Sequence, residues 1–217
     1  MSFLFVTRPF SNEDKERAIR ELLDNALPDR DFYLLLTGAV CFACAAIFLD
    51  SIPVLIASMI VAPLSYPILA LALGISVNDS RLMARSISIL FISIAIAMVF
   101  SILLSLLIEG VLGLGIERVF VSFSANYFFD ISIALISGAI AAYGSIRRKV
   151  GAAMTGIGIA VSLMPPLVAS SIGLANLNAS LVKEAGIIFL LNVCGILLAS
   201  GITFWLFGLK RTYGNLK

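Results

Sequence analysis

The residues able to do chemistry in this chain are few, and their scarcity is informative. There is no histidine among the 217 residues, which removes the commonest general base and metal ligand. A Ser–His pair cannot form, an HExxH zinc site is absent, and an aspartyl dyad lacks a second acid in mid-span. No enzyme activity is therefore expected. The cysteines Cys41, Cys44 and Cys194 all fall in apolar runs, with Cys41 and Cys44 three apart on a helix. They read as small apolar core residues, so no metal or other cofactor is expected.

What remains is a set of prolines, hydroxyls and isolated polar groups inside apolar sequence. Pro63 and Pro67 interrupt the run Met59–Leu73, and Pro165 and Pro166 interrupt Ser162–Ala175. A proline has no amide hydrogen and clashes with the carbonyl four residues back. Pro63 therefore releases the Met59 carbonyl, Pro67 that of Pro63, Pro165 that of Val161, and Pro166 that of Ser162. In hydrocarbon a released carbonyl costs several kcal/mol unless protein, water or a ligand meets it. Ser58, Ser65, Tyr66, Ser162, Ser170 and Ser171 stand nearby to do so. Released carbonyls suit a cation, whereas helix N-termini after the prolines suit an anion; the residues leave both open. Asn192 lies mid-way along another apolar run and needs partners. Asp130 is the one carboxylate plainly within such a run, about a turn from its end, and reads equally as a functional acid or a helix-start charge.

These groups are embedded in a chain that is 60% hydrophobic and 13% charged, with a mean hydropathy of +1.07. Six runs are long enough to cross a bilayer: 32–50, 52–75, 85–108, 127–146, 150–173 and 184–208. Aromatics mark their ends, at Phe32 and Tyr33, Tyr127 to Phe129, and Phe204, Trp205 and Phe207, as interfacial anchors. A polar stretch precedes them. Within 1–31, Ser11 followed by Asp14 resembles a capping box. Ile19, Leu22, Leu23 and Ala26 then form an apolar stripe that Pro28 ends, which predicts a short juxtamembrane helix. No cleavable signal is expected. The net charge of +2 gives no reason to expect a nucleic-acid partner.

Lysine and arginine set the orientation. Six spans with a cytoplasmic N-terminus put thirteen of the fifteen inside and leave Arg118 and Lys183 outside. Treating both proline-rich runs as re-entrant hairpins gives nine to six, so six spans with both termini cytoplasmic is the better reading. The protein is expected in the cell (inner) membrane, with the lipid bilayer as its first partner.

The two halves also resemble each other. At an offset of 103, Ile60–Leu64 (IVAPL) lies on Leu163–Leu167 (LMPPL). At an offset of 100, Leu36–Val40 (LTGAV) lies on Ile136–Ile140 (ISGAI). Each half has three spans, so the second enters from the opposite side, giving an inverted-topology repeat with any pathway near the midplane. The expected fold is thus all-α: six transmembrane helices as two inverted three-helix repeats, with Pro-broken second and fifth spans and a short N-terminal amphipathic helix. The segments are 1–31 (cytoplasmic), 32–108 (first repeat), 109–126 (extracytoplasmic connector, an interfacial helix or a subunit contact), 127–208 (second repeat) and 209–217 (cytoplasmic tail). Thr37-Gly38-Ala39, Ser137-Gly138-Ala139, Gly156 with Ala160, and Gly195 offer small faces for close helix packing.

The run Ala57 to Ile68 (ASMIVAPLSYPI) resembles the first signature of the uncharacterized hydrophobic domain family, the domain of unknown function family numbered 389. Gly156 to Ala160 (GIGIA), Leu163, Pro165-Pro166-Leu167 and Leu191-Asn192 resemble its second. Ala57 stands where the family usually has glycine, and Ser65 where it often has methionine. The resemblance spans residues 15–205 and implies a bacterial or archaeal integral membrane protein, without an established activity.

Two functions fit. The first is a small transporter or channel for an ion or small solute. Its pathway would be lined by Met59, Pro63, Ser65, Tyr66, Pro67, Ser162, Pro165, Pro166, Ser170 and Asn192, with Asp130 as a further contributor. The second is a membrane scaffold or sensor acting through partner proteins. With only six short spans, a homo-oligomer is expected.

Overall fold

The computed structural model describes residues 11–25, 28–113, 126–147 and 152–216. Among these every regular element is a helix: α1 (Asn12–Asn25), α2 (Arg30–Phe48), α3 (Ile52–Val61), α4 (Ser65–Val77), α5 (Ser80–Leu112), α6 (Tyr127–Ile146), α7 (Ala152–Ala175), α8 (Ala179–Leu206) and α9 (Leu209–Leu216). Four of them, α2, α5, α6 and α8, are each long and apolar enough to cross a bilayer. The bent pair α3–α4 meets the same standard taken together. The all-helical, membrane-protein reading therefore stands.

Short polar residues start the helices. The Asp29 carboxylate accepts from the Phe32 amide at 2.8 Å and opens α2. Asp79 accepts from the Arg81 and Leu82 amides at 2.9 and 3.1 Å and opens α5, and Asn178 accepts from Leu181 to open α8. Gly113 and Gly208, with φ of 64° and 68°, end α5 and α8 in the left-handed conformation that favours glycine. α5 is longer than its apolar pattern: it begins at Ser80, because Asp79 caps it, and runs through Glu109 to Leu112. The first four residues of the expected connector thus belong to a helix that Gly113 ends, and residues 114–125 lie outside the described residues.

Pro63 and Pro67 break their span as expected. Ala62 is extended (φ −64°, ψ 122°), and α3 and α4 diverge by 53°. The four-residue spacing explains why a break suits this site. Pro63 disfavours helical geometry at Ala62, and with the new helix starting at Ser65, Pro67 falls in its first turn, where no amide hydrogen is needed. The second proline-rich run corrects the expectation. α7 runs unbroken from Ala152 to Ala175 through Pro165 and Pro166. Adjacent prolines are compatible with a break, the first at the N-cap and the second in the first turn of a new helix, so the pair alone does not decide the course of the chain. The helix continues, and a neighbouring side chain meets one released carbonyl (below).

α1 forms with the Ser11 hydroxyl accepting from the Glu13 amide at 3.2 Å, while Asp14 pairs with Arg17 at 3.7 Å. Its stripe residues Ile19 and Leu22 are buried and Leu23 is partly buried. The helix packs on α4, α6 and α9. Ala26 lies outside the described residues.

Two aromatics expected as lipid anchors, Phe32 and Phe204, are instead buried in the core, while Phe128, Phe129 and Trp205 are exposed. Of the glycines, Gly138 and Gly195 lie in the contact between α6 and α8. A Cβ on Gly138 would sit 2.6 Å from the Ile196 carbonyl oxygen, and one on Gly195 3.0 Å from the Ala134 Cβ. Gly38 has open space around it, whereas its neighbour Ala39 is fully buried, so in the first half the glycine itself is not required for close packing. The side chain of Gly156's neighbourhood lies outside the described residues, and Ala160 is buried.

The turns after α4 and after α7 share one construction. Asn78 (φ 61°) and Leu177 (φ 53°) are both left-handed. The Asp79 amide donates to Gly74 O at 3.0 Å, and the Asn178 amide to Gly173 O at 2.8 Å. A Cβ on either glycine would press on the following helix, at 3.0 Å from Met83 Cγ or from the Val182 amide. The two sets stand 99 residues apart throughout.

Candidate functional site

The polar groups singled out in the two proline-rich runs do not all meet. What the structure brings together is Asn192 and Ser162. The Asn192 Nδ2 donates to the Ser162 carbonyl at 2.7 Å, linking the middle of α8 to the middle of α7. This is the carbonyl that Pro166 cannot serve, so the asparagine supplies the missing donor and keeps α7 helical. The bond also fixes the amide's orientation, because the opposite flip would set two acceptors against each other. Asn192 is 3% exposed and Ser162 6%. Among the described residues, two oxygens at this junction have no hydrogen-bond partner: Asn192 Oδ1 and Ser162 Oγ. An unmet buried polar atom costs about 1–3 kcal/mol, so such a pair in mid-helix calls for an explanation.

Other serines in the chain behave differently. Ser58 donates to Leu55 O at 2.6 Å and Ser171 to Leu167 O at 2.8 Å, bonding back along their own helices. Ser170 reaches Val182 O at 3.4 Å. Ser93, which stands 99 residues before Asn192 on α5, donates to Ile89 O at 2.8 Å. The first half therefore has no counterpart to the asparagine bridge. At the same offset, Ser101 lies 3.3 Å from Cys44 on α2, and Ser200 donates to Gly138 O on α6 at 2.9 Å.

Met59, Ser65 and Pro67 are buried around the α3–α4 break, with Pro63 and Tyr66 half-buried. α7 packs against α2, α3, α4 and α5, so it forms the centre of the molecule, and Pro165 and Pro166 are buried within it. Asp130 stands apart, in the first turn of α6 and partly exposed. Cys44 is buried against Ser101, whereas Cys41 and Cys194 are exposed, so the three do not converge.

Two polar ties at the helix ends had not been singled out from sequence. In one, the Tyr213 hydroxyl on α9 donates to Asp79 Oδ2 at 2.8 Å. Burial, together with the hydrogen bond and negative charge of Asp79, pushes the phenol up to about 12. In the other, the Asn176 Nδ2 donates to Glu109 Oε1 at 2.6 Å, and Ser105 donates to the same oxygen at 2.9 Å. The capping role of Asp79 was available as an Asn-Asp-Ser signal before an apolar run. Its partner 134 residues away carried no local signal.

The chain is 33% identical over 206 residues to an uncharacterized protein of Methanocaldococcus jannaschii, MJ0678, covering 91% of this chain and 62% of that protein. The chain thus spans about three fifths of that relative's length. No solved structure matches it significantly. The model of the family described as "Domain of unknown function (DUF389)" matches residues 59–198, a stretch that takes in the α3–α4 break, both α7 prolines and Asn192. With well over half its length matched, this membrane chain belongs to the DUF389 family.

Proposed function

We propose that this protein is a small transporter or channel for an ion or small solute, built from six spans in two inverted repeats, with its pathway at the Asn192–Ser162 junction. The observation that carries the reading is the pair of unmet oxygens on and beside a continuous helix that carries two prolines, at the centre of the helical assembly. Evolution of a mere spacer would be expected to fill such a position with apolar side chains.

Parity of contacts supports six crossings. α1 packs on α9, and Tyr213 of α9 binds the α4–α5 turn, so these three lie on one side of a bilayer. An even number of crossings between α1 and that turn fits both α2 and the bent pair as spans. An even number between the turn and α9 likewise supports reading α7 as a span beside α5, α6 and α8. The Glu109–Asn176 bond gives the same result on the opposite side, since α6 and α7 lie between its partners. The Arg17 bond to Ile146 O at 3.4 Å places the end of α6 with α1. The 99-residue correspondence of the two turns and of Ser101 with Ser200 supports the repeat. The lysine and arginine distribution supports cytoplasmic termini in the cell membrane. Further copies of the chain would shield the pathway's flank, and no catalytic role is assigned.

The packed surroundings of Pro165 and Pro166 favour a second reading, a scaffold or sensor that moves nothing. Flux assays in proteoliposomes decide. Conduction of at least one ion or small solute, reduced by Asn192→Leu, is the expected result; absence of flux across cations, anions and neutral solutes would leave the scaffold.

A further inference from the structure

We propose that the oxygens at the Asn192–Ser162 junction bind a small monovalent cation, an alkali ion or ammonium, which names the solute class for the pathway proposed above and rests on that reading. The chemistry on offer is one-sided. Asn192 Nδ2 is committed to the Ser162 carbonyl, and Pro165 and Pro166 carry no amide hydrogen. What remains is Asn192 Oδ1, which accepts only, and Ser162 Oγ, whose lone pairs are free. The Val161 carbonyl, which Pro165 cannot serve, adds a third oxygen on the same turn, and the Ser162 carbonyl keeps a second lone pair.

The Ser162 hydroxyl is the single donor left here and can turn its proton away, so acceptor oxygens outnumber donors and the balance favours positive charge over an anion. Neutral oxygens are the ligand type by which ion filters replace the hydration of monovalent cations. A divalent ion is a poorer match, since it takes carboxylates, and no Asp or Glu occurs between Ile159 and Ala175 or between Ala185 and Leu206. The contrast with the other half sharpens the assignment. Ser93 bonds back along its own helix, so the acceptor cluster belongs to α7 and α8 alone.

The test uses the full chain in lipid nanodiscs and reads thermal stability in KCl or NH4Cl against N-methylglucamine chloride at equal ionic strength. Binding to the folded state should raise Tm by about 3–6 °C at tenfold excess over Kd. Ser162→Ala removes an unpartnered hydroxyl, so it should fold at least as well as the wild type while losing the cation-specific rise. Ser86→Ala removes another buried hydroxyl that has no partner, on α5, and should keep the rise. The proposal is overturned if the wild type melts alike in both salts, if Ser162→Ala keeps the rise, or if stability follows chloride against gluconate. Proteoliposome flux is read separately. A cation-specific rise without flux retains the site and removes the conduit; flux without the rise does the reverse.

Discussion

At the scale of single residues, Asn192 has one defined structural task. Its amide replaces the backbone donor that Pro166 lacks, so Asn192→Leu should destabilise the fold by about 1–3 kcal/mol, the cost of stranding a buried carbonyl. Unfolding in mild detergent, followed by the fluorescence of Trp205, would measure this. The sequence showed that the Ser162 carbonyl was released and that an amide in mid-span needed partners. It did not show that each answered the other, because α7 and α8 meet there only through folding. Glycines show the same limit. Gly38 and Gly138 sit in matching tripeptides, yet only Gly138 is pressed against a neighbouring backbone. Gly138→Ala should cost about 1–3 kcal/mol as α6 and α8 are forced apart and the Ser200 bond lengthens. Gly38→Ala, facing open space, should be neutral or stabilising by up to about 1 kcal/mol. Equal losses for the two would contradict the asymmetry.

Between elements, two prolines in each run give two different outcomes. A four-residue separation lets α3 end and α4 begin with little loss, whereas α7 stays continuous through an adjacent pair. The all-helical, apolar character and the break after Val61 were legible, because apolar length and proline spacing are local properties, whereas α9 formed in a stretch read only as a tail. The true start of α5 and the unbroken course of α7 were not, since one depends on a cap outside the apolar run and the other on a bond from α8. The tie between α9 and the α4–α5 turn makes a separate prediction. The Tyr213 phenol titrates near 12 in the folded protein, above the ordinary tyrosine value of about 10. The folded state therefore holds this proton more tightly. Its contribution to stability is fully present below pH about 10 and is lost as pH rises toward about 12. Thermal stability should fall across that window, and Tyr213→Phe should flatten the fall while removing the last phenolate to appear in an absorbance titration near 295 nm.

For the whole molecule, the ties at the helix ends turn side-chain contacts into a statement about crossings. Three single-cysteine reporters, in a background lacking Cys41, Cys44 and Cys194, test it: Glu13→Cys on α1, Ser180→Cys at the start of α8, and Lys210→Cys on α9. All three native side chains are exposed. Six crossings with cytoplasmic termini predict that a membrane-impermeant maleimide labels Ser180→Cys in intact cells, while Glu13→Cys and Lys210→Cys react only after permeabilisation. If α7 did not cross, Ser180→Cys would be protected and Lys210→Cys would react from outside, with Glu13→Cys still inside. A reversed orientation would instead expose Glu13→Cys together with Lys210→Cys. The first pattern also makes the two 99-residue-related turns face opposite sides of the bilayer. An odd number of crossings in each half is the condition that the proposed inverted repeat requires, so this labelling pattern tests the repeat as well as the span count.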